Sequence, residues 1–303
     1  YDMITTSSSE TRIVNSYGLD LHHKSNLAFS FINALAKDGD RVATGGGFAC
    51  SNDFEALSVD QIVDDAVSEA VYMLTAEPVP SGTYRAIIEN KCMPDLLAAF
   101  SNVFSAEAAQ KGLSLLAGKE GEMIASEAVT LMDDPLLKNG LASQPFDAEG
   151  VATYTKALIE NGKLTTLLHN LKTARKASVK TTGNAAKAGY AGDVQVAPSN
   201  LYLKPGEKTL AQMMEDMGDG LVINDVSGLH AGADAISGDF SLLAQGYTVK
   251  NGKKDQAVER ITVAGNFYQL LKNIRVVGSD LIFPGSSVGS PSVDVGEISV
   301  AGK

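Results

Sequence analysis

The sequence predicts an α+β protein with two unequal parts. A mixed N-terminal α/β region over residues 1–80 precedes a C-terminal domain over residues 81–303, mostly antiparallel sheet with a few helices. Apolar and polar residues alternate over residues 2–46, as in half-buried strands. From residue 220 onward, short β-branched runs are interrupted by Gly, Asn and Asp, as in compact antiparallel sheets. We place the boundary at residues 78–82, where Pro78, Pro80 and Gly82 cluster.

The N-terminal alternation predicts a meander of antiparallel strands with turns at residues 16–18 and 37–40. Because isolated hairpins are marginally stable in water, we expect these strands to continue a sheet that begins before Tyr1. Three consecutive glycines at residues 45–47 indicate a bulge or a flexible tip. Ser58 and Gln61 form a capping box before a helix with one apolar stripe.

The C-terminal elements begin with a strand at residues 83–89. A helix follows over residues 95–111 and is closed by Gly112. Its apolar stripe faces the core and consists of Leu96, Leu97, Phe100, Val103 and Phe104. Residues 122–132 are strand-like or a short mixed segment, and acidic residues 133–134 after them are expected to be solvated.

Turn signals dominate from residue 150 onward. Asn161-Gly162 and Asn251-Gly252 suit type I′ hairpin turns, and Gly246 also separates two apolar runs. A third helix is predicted over residues 209–217, with three methionines on one face. We interpret that face as core packing rather than as a soft metal site, because methionine fills irregular gaps and here follows helical spacing.

Composition excludes several classes of function. The net charge of −11 argues against a nucleic-acid surface, which needs clustered Lys and Arg. No run reaches the roughly 18 apolar residues that a membrane span needs, and no signal-peptide pattern is present. Cys50 and Cys92 lie far apart outside any CxxC motif, which favours reduced thiols and a cytoplasmic location.

The chain shows no complete catalytic motif. A zincin needs two histidines at helical spacing with a glutamate between them. His22 and His23 are adjacent on a predicted strand and face opposite sides, whereas His169 and His230 are isolated in sequence. There is no G-x-S-x-G elbow, and the glycine clusters lack the context of a nucleotide-binding loop.

Several phrases in the C-terminal part resemble the TldD/TldE (PmbA) family. The most specific are Ser-x-Pro-Phe-Asp-x-Glu-Gly at residues 143–150 and Ser-Gly-Asp-Phe-Ser at residues 237–241. Both phrases resemble TldE (PmbA), the non-catalytic subunit of this family, more than TldD. TldE is also known as a modulator of DNA gyrase. The resemblance covers nearly all of the chain from residue 139 and is looser before it, where Asn15-Ser16-x-Gly18 matches.

The resemblance implies that this chain carries no metal and no catalytic residue. In the TldD subunit, the metal is held by a His-Glu-x-x-x-His helix and a further cysteine. Residues 97–102 stand opposite that motif and read Leu-Ala-Ala-Phe-Ser-Asn, and the C-terminal loop at residues 284–291 has no cysteine. Zinc is therefore expected in a TldD-like partner and in no site of this chain.

The family further implies a heterodimer with a TldD-like subunit, or a homodimer in isolation, that admits unfolded peptides. Extended peptides can add to a sheet edge with little sequence preference. The residues that match cleft-side loops by position are His230, Gly232, Asp234, Gly238, Ser286 and Ser287. Tight sheet turns are an equally good interpretation of these segments. Two alternatives stay open: a regulatory protein acting on DNA gyrase or a toxin system without proteolysis, and an independent homodimeric hydrolase.

Overall fold

The structure is a computed structural model that describes residues 2–303. Its elements form the α+β architecture that the sequence predicts. The N-terminal part, residues 2–80, contains the strands β1 (Asp2–Val14), β2 (Asp20–Asp38) and β3 (Arg41–Ser51), a 3-10 turn at Phe54–Ala56, and the helix α1 (Val59–Met73).

The C-terminal part comprises residues 81–303. Its helices are α2 (Met93–Phe100), α3 (Ala106–Gln110), α4 (Leu171–Ala177), α5 (Leu210–Met217), α6 (Leu229–Gly232) and α7 (Phe267–Asn273). Its strands are β4 (Gly82–Ile88), β5 (Leu131–Asp133), β6 (Lys156–Glu160), β7 (Lys163–Leu164), β8 (Ala185–Ala186), β9 (Gln195–Val196), β10 (Leu201–Leu203), β11 (Gly220–Ser227), β12 (Asp239–Lys250), β13 (Lys253–Asn266), β14 (Val276–Val277), β15 (Val288–Gly289) and β16 (Val293–Ala301).

The N-terminal part is the antiparallel meander that the alternation predicts. β1 and β3 each pair with β2 over their full length. The two predicted turns contain Gly18 (φ 91°) and Gly39 (φ 59°), left-handed conformations that glycine adopts without strain. α1 begins after Ser58, whose hydroxyl accepts a hydrogen bond from the Gln61 amide at 3.4 Å. Both turns and the helix start are thus confirmed.

Glycines 45–47 do not form the bulge or flexible tip that the sequence suggested, because all three lie inside β3. A Cβ atom on Gly45 would lie 2.2 Å from the Ala66 carbonyl oxygen, and one on Gly47 would lie 1.8 Å from that of Ile62. The glycines therefore allow the backbone of α1 to lie directly on β3. Close approach of two backbones and a turn both favour glycine, so the residue type alone did not distinguish them.

Five strands of the C-terminal part close into a barrel. They pair in the order β13-β12-β11-β4-β16, and β16 pairs back with β13. β4 and β11 run parallel, whereas the other neighbouring pairs are antiparallel. A second sheet has the order β15-β10-β5-β6-β7.

The helices α2 and α7 pack on the barrel in one continuous apolar core. The rings of Phe100 and Phe267 stack with centroids 4.6 Å apart, and both side chains are fully buried. All five residues of the predicted stripe over residues 96–104 belong to this core. The core prediction for this segment is confirmed.

The helix predicted over residues 95–111 is wrong as a single element. α2 starts at Met93, a 3-10 turn follows at Ser101–Phe104, and α3 is separate. α2 ends at Phe100, and Ser105 separates the 3-10 turn from α3, because its backbone is extended and its hydroxyl accepts a hydrogen bond from the Ala108 amide. The Ala106 amide bonds to the distant Leu168 carbonyl at 2.9 Å, so a tertiary contact overrides local helix propensity.

Two of the three turns predicted after residue 150 are confirmed. Asn161-Gly162 and Asn251-Gly252 have positive φ at all four residues, as type I′ turns require. Gly246 instead lies inside β12, where a Cβ would lie 1.9 Å from the Val222 carbonyl oxygen. Residues 122–132, predicted to be strand-like or a short mixed segment, are mostly loop, since β5 starts only at Leu131.

Asp133 is fully buried, whereas it and Asp134 were predicted to be solvated. Its Oδ2 accepts hydrogen bonds from Lys156 Nζ at 2.9 Å and from Asn184 Nδ2 at 2.7 Å. Its Oδ1 accepts from the amide and hydroxyl of Ser199 at 2.6 and 2.7 Å. A charge at this depth is tolerated because a buried cation and several donors satisfy it.

Candidate functional site

Residues 97–102, which the resemblance places opposite the metal motif, form the end of α2 and the start of the 3-10 turn. Leu97 is 1% exposed and Phe100 is fully buried in the main core. The Ser101 hydroxyl donates to the Ala98 carbonyl at 2.8 Å. Zinc is held by Cys, His, Asp and Glu side chains, and this segment contains none of them. The residues present therefore do not fit a zinc site.

Across residues 2–303, no group of three or more His, Cys, Asp and Glu side chains is placed to hold a metal ion. The histidines lie apart in the fold. His22 contacts Glu10 on the exposed hairpin, and its neighbour His23 faces the other side of β2. His169 is buried, and burial lowers its pKa. His230 is exposed on α6.

The first predicted lining segment, residues 228–238, forms α6 and the tight turn after it. His230 is exposed at this surface. Gly232 packs so closely on β12 that a Cβ would lie 2.3 Å from the Ser241 carbonyl oxygen. The segment borders a shallow cavity of about 760 Å³.

Asp234 and Gly238 shape the turn after α6. Asp234 Oδ1 accepts hydrogen bonds from the amides of Ile236 at 2.8 Å and Ser237 at 3.1 Å. Gly238 has φ 84°, and its carbonyl accepts from the Phe267 amide at 2.7 Å. Both residues thus stabilise the loop itself.

Ser286 and Ser287 precede β15 and are half-buried. The Ser286 hydroxyl accepts from the Val288 amide and donates to the Val288 carbonyl, both at 3.1 Å. The Ser287 carbonyl accepts from the Leu201 amide at 2.9 Å. These bonds hold the loop against the second sheet.

The two predicted segments lie beside the same helix. α6 and β15 each contact α2, which contains the first part of residues 97–102. The elements next to both predicted segments therefore share α2 as a neighbour. The role of the six predicted lining residues in holding a peptide stays a prediction.

A polar cluster at the junction of the two parts has no signal in the sequence. Glu89 Oε1 lies 2.6 Å from the Tyr247 hydroxyl, and burial raises the pKa of both groups. Lys254 Nζ lies 4.3 Å from the ring centre of Tyr247 and 3.9 Å from that of Tyr72 on α1. Cation–π contacts and a hydrogen bond thus tie α1 to the barrel. Glu89 and Tyr247 are 158 positions apart, so no local pattern indicates the contact.

Like charges also meet at this junction. Burial, together with the nearby carboxylates of Glu69 and Asp95, raises the pKa of Asp225 to about 6, although the residue is exposed on the surface of β11. Glu69 lies on α1, Asp95 on α2 and Asp225 on β11. The protonation of Asp225 is therefore sensitive to how the two parts pack.

Family comparisons cover almost the whole chain. The family model for the PmbA/TldA metallopeptidase C-terminal domain matches residues 81–302, and the model for the central domain matches residues 2–74. The chain belongs to the PmbA/TldD family. The family that the residue phrases indicated is thus confirmed.

Two curated relatives of this chain are named metalloproteases. A metalloprotease from Methanothermobacter thermautotrophicus is 33% identical over 283 residues, which are 90% of this chain and 60% of that protein. The metalloprotease PmbA of Escherichia coli O157:H7 is 37% identical over 183 residues, 60% of this chain and 38% of that protein. The chain spans about three fifths of the length of the first of these relatives.

Solved PmbA/TldD structures share the fold. A proposed modulator of a DNA gyrase from Thermotoga maritima is 41% identical, with a TM-score of 0.93 over 99% of this chain and 68% of that one. TldE from Thermococcus kodakarensis is 25% identical, with a TM-score of 0.91 over 99% and 69% of the two chains. Among residues 2–303, no helix is long and apolar enough to cross a membrane.

Proposed function

We propose that this chain is the metal-free, TldE-like subunit of a TldD-type metallopeptidase complex that processes or degrades unfolded peptides. The observation that supports this role is the segment at residues 97–102, which packs Leu97 and Phe100 into the core. A subunit without metal ligands needs a partner that supplies them. That partner is a TldD-like subunit, which would hold the zinc ion in a heterodimer.

In such a complex, this chain contributes one wall of a peptide channel. The lining is formed by His230, Gly232, Asp234, Gly238, Ser286 and Ser287, which lie on or beside α6 and β15, and both of these elements contact α2. Main-chain hydrogen bonds would hold an extended peptide without strong sequence preference. Cys50 and Cys92 are both free thiols, which suits a complex in the reducing cytoplasm.

Reconstitution tests this function. The chain, a TldD-like subunit and their equimolar mixture are assayed for zinc content and for cleavage of a fluorogenic, unstructured peptide. We expect no zinc and no cleavage with this chain alone, and cleavage in the mixture. The matched control replaces both motif histidines of the TldD-like subunit by alanine, which should abolish cleavage while the two chains still co-elute.

Two results would overturn the proposal. Stoichiometric zinc together with peptide cleavage in this chain alone would identify an independent hydrolase, the homodimeric alternative. Failure to associate with any TldD-like subunit would remove the companion role.

Regulation of DNA gyrase without proteolysis is a second candidate, favoured by the name of the Thermotoga maritima structure. The net charge of −11 makes direct DNA contact unfavourable, so an effect would act through the gyrase protein. A supercoiling assay with the purified chain separates the candidates. Inhibition by this chain alone, without peptidase activity in the mixture, would favour regulation.

A further inference from the structure

Asn266 stands at the corner where β13 ends and α7 begins. Its backbone is extended and its side chain caps the helix, because Oδ1 accepts hydrogen bonds from the amides of Tyr268 at 3.1 Å and Gln269 at 3.2 Å. Aspartate or serine would serve as this cap equally well. The cap alone therefore does not account for an amide side chain at this position.

The other end of the same side chain reaches the turn at residues 234–239. Asn266 Nδ2 donates hydrogen bonds to the Ser237 carbonyl and to Asp239 Oδ1, both at 2.8 Å. Two backbone amides on one side and a carbonyl on the other leave one orientation of the side-chain amide that satisfies all of these groups. Among the common N-cap residues, only asparagine accepts twice and donates twice. The residue type thus fits a link between the helix and the turn.

The next two residues along the chain contact the same turn. The Phe267 amide donates to the Gly238 carbonyl at 2.7 Å, and the Tyr268 hydroxyl donates to the Ile236 carbonyl at 3.4 Å. The Tyr268 ring lies so close that a Cβ atom on Gly238 would be 2.6 Å from its Cδ2. Three consecutive residues therefore hold one turn.

The turn also has hydrogen bonds of its own. The Asp234 amide donates to the Asp239 carbonyl, and the Gly238 amide donates to the Asp234 carbonyl, both at 2.9 Å. These internal bonds fix the shape of the turn. The contacts from Asn266 and its neighbours fix its place beside α7. Without those contacts, the turn could move as a unit and keep its shape.

The place of the turn matters because residues 231–236 border the cavity of about 760 Å³. An extended peptide that binds through main-chain hydrogen bonds needs backbone partners at fixed positions. Ordering a loop during binding costs free energy, so a loop that is already held in place binds a peptide more tightly.

We propose that Asn266 is a positioning residue for the peptide-binding wall: it locks the turn at residues 234–239 against α7, so that the backbone beside the cavity is preformed for an extended peptide. This role rests on the proposed function and adds to it a residue that acts through the turn. The hydrogen bonds that carry it all lie within residues 234–269.

Hydrogen exchange of the isolated chain tests the link. N266D keeps the oxygen that caps α7, but it cannot donate, and its carboxylate faces the Ser237 carbonyl and the Asp239 carboxylate. We expect the amides of residues 236–239 and of Phe267 to exchange about 10-fold faster or more, because local opening becomes easier. The amides that the side chain caps should keep their wild-type rates.

Peptide cleavage by the reconstituted complex tests the functional consequence. Subunit concentrations are chosen at which N266D and the wild type are fully associated, as judged by size-exclusion chromatography. We expect the KM of N266D for the unstructured peptide to rise about 5-fold or more with kcat unchanged, because only peptide binding weakens. A merely structural role would lower the amount of complex and leave KM as it is.

Two further variants control for charge and for folding. N273D adds the same negative charge at the other end of α7, where the side chain is exposed, and should match the wild type in both measurements. N266D/D239N exchanges donor and acceptor between the two positions, so that their hydrogen bond can form again. It should recover part of the slow exchange and part of the low KM.

The outcomes separate the link from the function. Unchanged exchange at residues 236–239 in N266D, or faster exchange at the capped amides, would show that Asn266 serves the helix alone and overturn the proposal. Faster exchange of the turn with an unchanged KM would show that the turn does not line the peptide path, and the companion role would stand. If the wild-type mixture does not cleave the peptide, the proposed function and this role fail together.

Discussion

In the C-terminal part, barrel strands and the helices α2 and α7 share one continuous core, whereas the N-terminal part buries little apolar surface of its own. The small cluster that includes Ala43 of β3 and Met73 of α1 is completed by Ala257 of the barrel. Ile4, Leu35 and Val42 on the meander are each more than half exposed.

The difference shows where each part obtains its stability. A barrel closed by β13–β16 pairing leaves no long unpaired edge and surrounds its own core. A three-stranded meander under one helix depends on close backbone packing and on neighbours. We therefore expect core truncations to be costly in the C-terminal part and tolerated in much of the N-terminal part.

Truncation of a core side chain in the C-terminal part and of an exposed one in the N-terminal part gives the largest expected contrast. Leu97→Ala removes a side chain that is 1% exposed in the main core, and the free energy of unfolding should fall by about 2–5 kcal/mol. Val67→Ala removes a side chain that is 48% exposed and should change it by about 0.5 kcal/mol or less. Urea unfolding measures both. Equal losses would mean that Val67 is packed as tightly in the folded protein as Leu97.

A pair of glycine substitutions tests the backbone packing of the N-terminal part. Gly47→Ala places a methyl group 1.8 Å from the Ile62 carbonyl oxygen, so α1 must shift, at a cost of about 1–3 kcal/mol. Gly46→Ala is the control, because the nearest atom to its Cβ lies 3.9 Å away. The stability of the two variants is compared by thermal unfolding and by limited proteolysis, with cleavage mapped within residues 2–74. A Gly47→Ala protein as resistant as Gly46→Ala would contradict direct packing of α1 on β3.

The smallest expected effect lies at the junction of the parts. The folded-state pKa of Asp225, about 6, lies above its unfolded value, so the folded protein binds this proton more tightly. The stability that it contributes is present at low pH and is lost as pH rises through about 6. Asp225→Asn should remove this dependence.

Urea unfolding of the wild type and Asp225→Asn between pH 4 and pH 7 isolates that residue. The difference in stability between the two proteins should change in favour of the variant as the pH rises. A difference that is constant with pH would mean that Asp225 does not meet Glu69 and Asp95 in the folded state.

Local chemistry made much of the fold predictable. The capping serine at Ser58, the glycines in the meander turns and the Asn-Gly pairs each act over two to four residues, and their elements are where the sequence placed them. The same holds for the apolar stripe over residues 96–104 and for residue phrases specific enough to identify the family.

The candidate site was predictable only in part. The sequence showed which residues occupy positions 97–102, and the structure placed Leu97 and Phe100 in the core. Asp133 was misjudged because its partner Lys156 lies 23 positions away in the chain. The contact between Glu89 and Tyr247 was invisible for the same reason.

By itself, the sequence determined the α+β class, the family, the hairpin turns and the absence of a His-Glu-x-x-x-His motif. Only the tertiary structure decided that Gly47 admits α1 onto β3, that Ser105 starts a separate helix α3 and that four valines stay exposed on α1. Caps and turns depend on neighbours in the chain. Burial and close backbone approach depend on segments that meet only after folding.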